Sequence, residues 1–445
     1  MVNRYERGSG SKLNYEKSEG IFIGQKEGRN TGPVPITWKT DNITVIGIQI
    51  GPYLQQDWEK PMAKLLRSIQ GWYARSLTIY GRAVIIRTYG VANLIYLATT
   101  FSIPEKIILE VHQALFNFVW KGHEYIKRET LGLPINEGGL AIPDLRKVNV
   151  ATKVKWLREI GDKDYQRSWI KWPRYFIGTA LSTVKEQWTY LREKKYPHAD
   201  PNSVPPWYKI VHTTAKKYKE QLEKMEQKEI TNKNLLIFMN EEIEQPRANR
   251  KWKEWKIEEN TMKKHWMKIW KTLNLNWEKE NLRKLTHMVL PTKAYLAKWK
   301  MEGVNDQCPF CKKPEDLNHV FLKCTRTKSL WEYVKHLIEK IIDKPSSSPM
   351  SLVEAVFHTK IKTKDPTQKK LVRYVTTTAI TIIWNTRNAK LKEKKIPELK
   401  QELKRIIKDR VNVDEINNNV YNIKNIWSYE NILMQVTGDK ITFNL

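Results

Sequence analysis

The chain has 445 residues, 40% of them hydrophobic and 28% charged, which is apolar enough for several packed cores and too apolar for general disorder. Its 78 Lys and Arg outnumber 48 Asp and Glu, giving a formal net charge of +30, and a surplus of that size calls for a polyanion, with nucleic acid the first candidate. Secretion and membrane insertion are both disfavoured: Met1 to Ser18 carry no apolar h-region, and the longest uncharged run, Thr88 to Pro104, is broken by Gly90 and Asn93 and falls short of the ~20 apolar residues a span needs.

Residues 1–56 read as strand and turn, with Ile21-Phe22-Ile23 and the stretch from Ile43 to Ile50 as β-branched runs bounded by glycine. From Asp57 the period becomes helical. Trp58, Met62, Leu65, Leu66, Ile69 and Trp72 recur every three or four residues, with Asp57 as the N-cap. A second helix is expected after Gly81, through Val84, Ile85, Val91, Leu94 and Ile95. A third starts at Pro104 and runs through Ile107, Ile108, Val111, Leu115 and Val119, proline being well suited to a first helical position. Three helices on short loops predict a compact bundle. A Gly-Gly turn at Gly138-Gly139 precedes another helix near Val148–Ile160. The Pro-rich stretch Tyr196–Trp207 reads as a linker. Charged helical sequence then resumes to about residue 260, and a further helical block covers Met262–Lys300. After a second linker, Asp343–Ser351, two or three helices complete the chain.

Tryptophan is the second compositional anomaly: there are 18, many beside cations, as in Trp252-Lys253-Glu254-Trp255-Lys256 and Trp266-Met267-Lys268-Ile269-Trp270-Lys271. Aromatic faces interleaved with cations suit base stacking plus phosphate contact. For any single tryptophan the simpler reading is a core anchor of an amphipathic helix, so the suggestion lies in the ensemble.

All three cysteines fall within 17 residues, and with His319 they form C-x2-C-x7-H-x4-C: Cys308, Cys311, His319 and Cys324. With no secretory signal, disulfides are not the expected explanation. Zinc takes four tetrahedral sulfur and nitrogen donors, and thiolates with an imidazole are the usual closed, structural set. Cys308-Pro309-Phe310-Cys311 puts two thiolates on one knuckle. A short helix over Leu317–Lys323 would turn His319 and Cys324 toward the same ion, and Phe310, Leu317, Val320 and Phe321 are expected to form a small core around it. Four protein ligands leave no open position, so the expected cofactor is structural Zn2+ rather than a hydrolytic metal.

Several segments resemble the LINE-type (non-LTR) retrotransposon reverse transcriptases. Gly8-Ser9-Gly10 followed by Lys12-Leu13-Asn14-Tyr15-Glu16-Lys17-Ser18-Glu19 is similar to their "SGxKxNxxKSE" segment downstream of the YxDD motif, and Ile46-Gly47-Ile48-Gln49-Ile50-Gly51 to their "LGIxIG" strand. The resemblance makes that strand part of the primer-grip hairpin, and makes Trp58–Arg75 and Ser76–Ile86 the start of the thumb. Phe116-Asn117-Phe118-Val119-Trp120-Lys121-Gly122 and Glu137-Gly138-Gly139-Leu140 continue the pattern. Leu290-Pro291-Thr292-Lys293 with the Cys/His cluster resembles the zinc module C-terminal to these polymerases, and Ile383-Trp384-Asn385-Thr386-Arg387-Asn388 the "IWxxRN" helix that follows it. The matches cover most of residues 8–160 and 262–390. The departure is catalytic. Polymerases hold two metal ions on aspartates, and this sequence contains no Asp-Asp pair. The family's post-YxDD lysine, a proposed general acid, corresponds by resemblance to Lys17, which without a palm is an exposed cation.

The architecture implied is mainly α. It comprises a short β-hairpin palm remnant (1–56), a three-helix thumb-like bundle (57–160), a helical linker (161–260), a small CCHC zinc-binding module with flanking helices (261–345) and a C-terminal helical region (346–445). The function implied is binding of RNA or an RNA–DNA duplex through Arg75, Arg82, Arg87, Lys127 and Arg128, at helix starts or loops of the bundle. Around the zinc module, Lys312, Lys313, Lys323, Arg326 and Lys328 offer a second grip. The alternative for each of these cations is a solvated face. No catalytic residue is assigned and no polymerase activity is expected of the chain alone. RNA or DNA is the expected partner, with a separate palm-bearing polymerase chain as a further candidate, in the nucleus or cytoplasm and away from membranes. Two other readings stand beside this one: part of an active RNA-directed DNA polymerase whose palm lies elsewhere, and a helical interaction scaffold with zinc for shape.

Overall fold

The computed structural model describes every residue except 1, 52–56, 123, 161, 163–166, 182–205, 226–228, 299–304, 346–349, 362, 364, 418 and 439. Among the described residues the chain is mainly helical, with three short two-stranded sheets, the class that the sequence implies. Helix α1 (Val2–Ser9) precedes strands β1 (Glu19–Ile21) and β2 (Thr37–Lys39), which pair in parallel. Strands β3 (Ile43–Val45) and β4 (Ile48–Ile50) form an antiparallel hairpin. The run from Ile43 to Ile50 is therefore not one strand. Ile46 and Gly47 turn it, both at positive φ (51° and 76°), the backbone that a two-residue hairpin loop requires and glycine supplies without strain.

Helix α2 (Glu59–Tyr73) begins where the sequence places it. The Asp57 carboxylate accepts from the Glu59 and Lys60 amides at 3.0 and 3.3 Å, with Trp58 at the formal N-cap. Helix α3 (Ile79–Ile85) starts before Gly81, because Thr78 Oγ1 already accepts the Gly81 N–H at 3.0 Å. A π-turn over Ile86–Gly90 links it to α4 (Ala92–Ala98), so the expected second helix carries a one-turn bulge. Helix α5 (Glu105–Trp120) follows Pro104 and buries Ile107, Ile108, Val111, Leu115 and Val119. After α6 (Arg128–Gly132), a 3-10 turn at Ile135–Glu137 leads into the Gly-Gly pair. There Gly139 is obligatory, since a Cβ would sit 1.8 Å from the Leu133 carbonyl oxygen.

The helix expected near Val148–Ile160 is two: α7 (Leu145–Val154), capped by Asp144, and α8 (Leu157–Ile160), separated at Lys155 and Trp156. Next comes α9 (Lys171–Leu181). Of the first linker, residues 196–205 lie outside the described residues, and of the second, residues 346–349 do. Between the linkers run α10 (Pro206–Lys217), α11 (Lys219–Lys224), α12 (Asn232–Glu241), α13 (Arg247–Glu254), α14 (Glu259–Ile269), α15 (Asn276–Thr286), α16 (Lys293–Lys298) and α17 (Lys328–Ile342). Helices α18 (Leu352–Phe357), α19 (Pro366–Leu391) and α20 (Leu399–Ile416) then precede a hairpin of β5 (Met434–Thr437) and β6 (Lys440–Phe443).

The chain divides into two compact units. One comprises Met1–Arg75, Val84–Val119 and Pro143–Glu241, the other Ser76–Ala83, Trp120–Ile142 and Glu242–Leu445. In the first, α7 packs on α4, α10 and α12, and Val154, Leu157, Ile170, Val211 and Leu235 share a core. Lys153 is fully buried at the C-terminal end of α4. Its Nζ donates to Ala98 O at 2.9 Å and Phe101 O at 3.1 Å, and also to Asn149 O and Oδ1. It thus serves carbonyls that a helix end leaves without partners. Burial lowers its pKa to about 8.

The second unit is organised by the 26-residue α19. Pro366 and the Asp365 side chain, which accepts from Thr367 N–H at 2.6 Å, start it. Its residues from Leu371 to Trp384 are buried almost without a break, as befits a helix surrounded on all sides. It packs against α15, α17, α18 and α20, and the core includes Trp252, Trp266, Trp331, Trp384 and Trp427. For these five tryptophans the anchor reading holds.

Candidate metal centre and basic surfaces

The antiparallel bridge between Gln307 and Pro314 closes a tight loop. Within it the Cys308 amide donates to Lys313 O at 2.7 Å and the Lys312 amide to Cys308 O at 3.0 Å, with Lys312 in the left-handed region (φ 63°). This knuckle brings Cys308 and Cys311 to one side. The partner pair comes from a helical turn that begins at Leu317, as expected, but winds as a π-turn over His319–Lys323. Asp316 Oδ1 caps it by accepting the His319 amide at 2.6 Å, and the Cys324 amide closes it on His319 O at 2.9 Å. The wider turn sets His319 and Cys324 side by side across five residues.

The four donor atoms of Cys308, Cys311, His319 and Cys324 lie within 4.8 Å of one another. Cys308 Sγ is 4.0 Å from Cys324 Sγ, and Cys311 Sγ is 3.1 Å from His319 Nε2. A tetrahedral ion with metal–sulfur bonds of about 2.3 Å separates two sulfurs by roughly 3.8 Å and a sulfur from a nitrogen by roughly 3.5 Å. The cluster could therefore hold a metal ion with small adjustments, and every coordination position would come from protein. Burial pushes the Cys324 thiol up to about 12, helped by the neighbouring Cys308 and Cys311. Burial alone would raise Cys311 as well, but hydrogen bonds from the Lys313 backbone and from the other two thiols bring it below the ordinary range. His319 is lowered by burial, which keeps its imidazole neutral and ready to ligate. A bound cation must displace the thiol protons, so affinity falls toward acid pH.

The small core expected around the ion does not stand alone. Val320 and Phe321 belong to the large core of the second unit, and Leu317 packs against it. The Trp331 indole donates to Phe321 O at 2.5 Å. Phe310 instead lies under the Arg326 guanidinium, 4.7 Å from its ring centre, while Arg326 Nη2 donates to Pro397 O at 3.0 Å. The reason is geometric: the π-turn packs its apolar side chains, Val320 and Phe321, into the core beside α17 and α19, both of which it contacts.

Sequence reasoning also missed a buried ion pair beside the cluster. Glu315, fully buried between Cys311 and His319, accepts from Arg387 Nε at 3.1 and 3.3 Å and from Arg387 Nη2, and from the Lys293 amide at 2.8 Å. The pair ties the ligand loop to α19 and to the start of α16. It gives a physical role to two segments noted in the sequence, Leu290–Lys293 and Ile383–Asn388. Arg387 was visible as a cation in an apolar helix; its partner, 72 positions away, was not.

The five candidate cations fall in both units. Arg75 and Arg87 belong to the first: Arg75 is exposed, its guanidinium 5.0 Å from the Trp72 ring centre, and Trp72 stacks on Tyr89. Arg82, Lys127 and Arg128 belong to the second. Arg82 Nε donates to Leu77 O at 3.1 Å, Lys127 is exposed at the N-cap of α6, and Arg128 grips the Glu124 carboxylate at 2.6–3.1 Å. A further group was not singled out. Lys264 and Lys268 stand one turn apart on α14, Lys369 and Arg373 one turn apart on α19. Burial first, and then the positive charges of Arg373, Lys369 and Lys264, lower the Lys268 ammonium.

No family model matches the chain. Over 149 residues, 32% of its length, it is 23% identical to the Transposon TX1 uncharacterized 149 kDa protein of Xenopus laevis. The chain is similar to a transposon protein. It spans 11% of that protein's length, and the match supports a transposon origin. No helix among the described residues is long and apolar enough to cross a membrane.

Proposed function

We propose that this chain is a nucleic-acid-binding region from the C-terminal part of a LINE-type reverse transcriptase. In this reading the Cys308–Cys311–His319–Cys324 cluster holds a structural zinc ion, and the basic helices hold an RNA or RNA–DNA backbone. The observation that carries the polynucleotide half is the group of exposed cations Lys264, Lys268 and Lys369, with the half-buried Arg373 among them. Burial is the first cause that lowers Lys268, and the like charges of Arg373, Lys369 and Lys264 add to it; cations gathered in this way repel one another in the free chain and are relieved by a polyanion. Phosphate contacts of this kind fix register without reading sequence. Zinc is favoured over other ions because three thiolates and one imidazole in a closed tetrahedron are its usual structural set. Arg75, Arg82, Arg87, Lys127 and Arg128 join the backbone contacts in this reading. Strand synthesis is assigned to aspartates outside this sequence, which has no Asp-Asp pair.

The test is binding of a labelled RNA–DNA hybrid by the zinc-loaded chain across a salt series. Six or more phosphate contacts cost about 10³-fold in affinity between 50 and 200 mM salt. Replacing Lys264, Lys268 and Lys369 by glutamine should flatten that slope by about 2 to 3. A parent chain whose affinity is the same at both ends of the series would contradict the reading, as would primer extension on an RNA template by the purified chain.

A further inference from the structure

The first unit carries a basic cleft, with Trp156 in its wall, that none of the readings above uses. At the break between α7 and α8, Lys155, Trp156, Arg158 and Glu159 face Thr231 and Lys233 at the start of α12 across a cleft of about 320 Å³. Trp156 is half-buried, with Lys155 Nζ 5.4 Å from its ring centre. Its edge meets Trp169 in a T-shaped contact, centroids 5.6 Å apart and planes at 87°. Trp169 is itself 39% exposed, and Trp172, one turn on, is 65% exposed.

This exposure is built in. The buried Arg174 guanidinium donates from Nε to Ile160 O at 3.0 Å and from Nη2 to Asp162 O at 2.5 Å, which pins α9 to the end of α8. The Trp169–Trp172 turn is thereby held beside Trp156 while its rings stay in contact with water. Trp172, the more exposed of the two, forgoes much of the roughly 1.5–3 kcal/mol that full burial of a large side chain brings and keeps an indole at the surface.

We infer that this cleft, together with the Trp169–Trp172 turn beside its Trp156 wall, binds single-stranded nucleic acid, stacking unpaired bases on Trp169 and Trp172 and neutralising their phosphates with Lys155, Arg158 and Lys233. The inference rests on the nucleic-acid reading above and adds to it the strandedness of the ligand and its place on the chain. The chemistry is that of single-strand platforms, where exposed rings meet base faces and flanking cations meet the backbone. Three cations against one carboxylate at the cleft wall favour an anion. A cleft of this volume lies at the lower end of ligand sites, about 300–1,000 Å³, and admits a nucleotide but not a duplex, whose bases are already stacked inward.

The experiment is fluorescence anisotropy with the zinc-loaded full chain, using a labelled oligouridylate, oligothymidylate and an RNA–DNA hybrid. Trp169→Ala should weaken single-strand binding about tenfold or more, within the roughly 5- to 150-fold that stacking on one ring is worth. Trp169→Phe should keep it within about threefold, and hybrid affinity should be unchanged by either. Lys155→Gln with Lys233→Gln should lower the salt slope for the single strand by about 1.4; as surface changes they also keep the test open should Trp169→Ala fail to fold. Single-strand affinity that survives both Trp169→Ala and the lysine pair overturns the inference. So does a parent chain that binds the hybrid and no single strand, an outcome that leaves the proposed function standing. A parent that binds neither removes both.

Discussion

Replacing Arg387 by methionine keeps most of the stem's volume in α19 and removes the guanidinium from Glu315. The carboxylate is fully buried and retains one donor, the Lys293 amide at 2.8 Å. Breaking a buried pair by deleting one partner costs about 3–5 kcal/mol, because a charge is left in a low-dielectric site. The surviving amide bond, worth about 1.5–3 kcal/mol to a charged acceptor, is present before and after and offsets little of the loss. We therefore expect R387M to destabilise the second unit by about 3 kcal/mol or more. R387M combined with E315Q should recover at least half of that, since no charge is then stranded. The assay is urea denaturation of the zinc-loaded chain followed by tryptophan fluorescence, with the relevant transition identified as the one that shifts when chelator is added. Zinc affinity, measured by competition with a coloured chelator, should fall about 10- to 100-fold in R387M, the usual cost of loosening the groups behind a ligand set. A transition within 1 kcal/mol of the parent, together with unchanged zinc affinity, would show that the pair does not anchor the ligand loop.

Two further predictions concern stability. His265, His287 and His358 are all held below the ordinary 6.5 by burial, His358 to about 3, with Arg373 next in effect for His265 and His358. Below pH 6.5 the unfolded chain takes up protons that the folded unit refuses. Stability is thus complete above pH 6.5 and falls with acidification, by about 1.4 kcal/mol per pH unit for each histidine. Metal-free denaturation curves between pH 7 and 4.5 should show this, and H358Q should shallow the slope; a flat profile would mean these imidazoles are not neutral and buried. In the first unit, Lys153→Met leaves the Ala98 and Phe101 carbonyls without their ammonium donor and should cost about 2–4 kcal/mol. Hydrogen exchange at the end of α4 should accelerate in the same variant, whereas unchanged protection there would argue that water replaces the ammonium.

The features legible in the sequence are those written within a few residues. Asp57 caps α2 through hydrogen bonds to amides two and three positions on. The Cys/His spacing likewise fixes a ligand cluster, because knuckle and turn are both local. Less legible was how each turn is wound. The π-turns over Ile86–Gly90 and His319–Lys323 share an apolar pattern with ordinary helix, and only tertiary packing selects the wider winding. The closing hairpin was missed although Met434 and Val436, then Ile441 and Phe443, alternate on either side of Gly438, since it follows a long helical stretch and each strand has four residues. Pairings of distant residues, Glu315 with Arg387 above all, leave no trace in spacing.

Because Phe321 and Val320 lie in the core that Trp331 and Trp384 complete, the metal knuckle is not a portable module. Cut out as a short peptide from residue 305 to 328, it would retain its four donors but present Val320 and Phe321 to water and lose the counter-charge of Glu315. Such a fragment would capture metal weakly and without a fixed shape, unlike an autonomous finger. Grafting this grip onto another protein would require transplanting the surrounding helices with it, and insertions or deletions inside the knuckle would be felt as far away as α19.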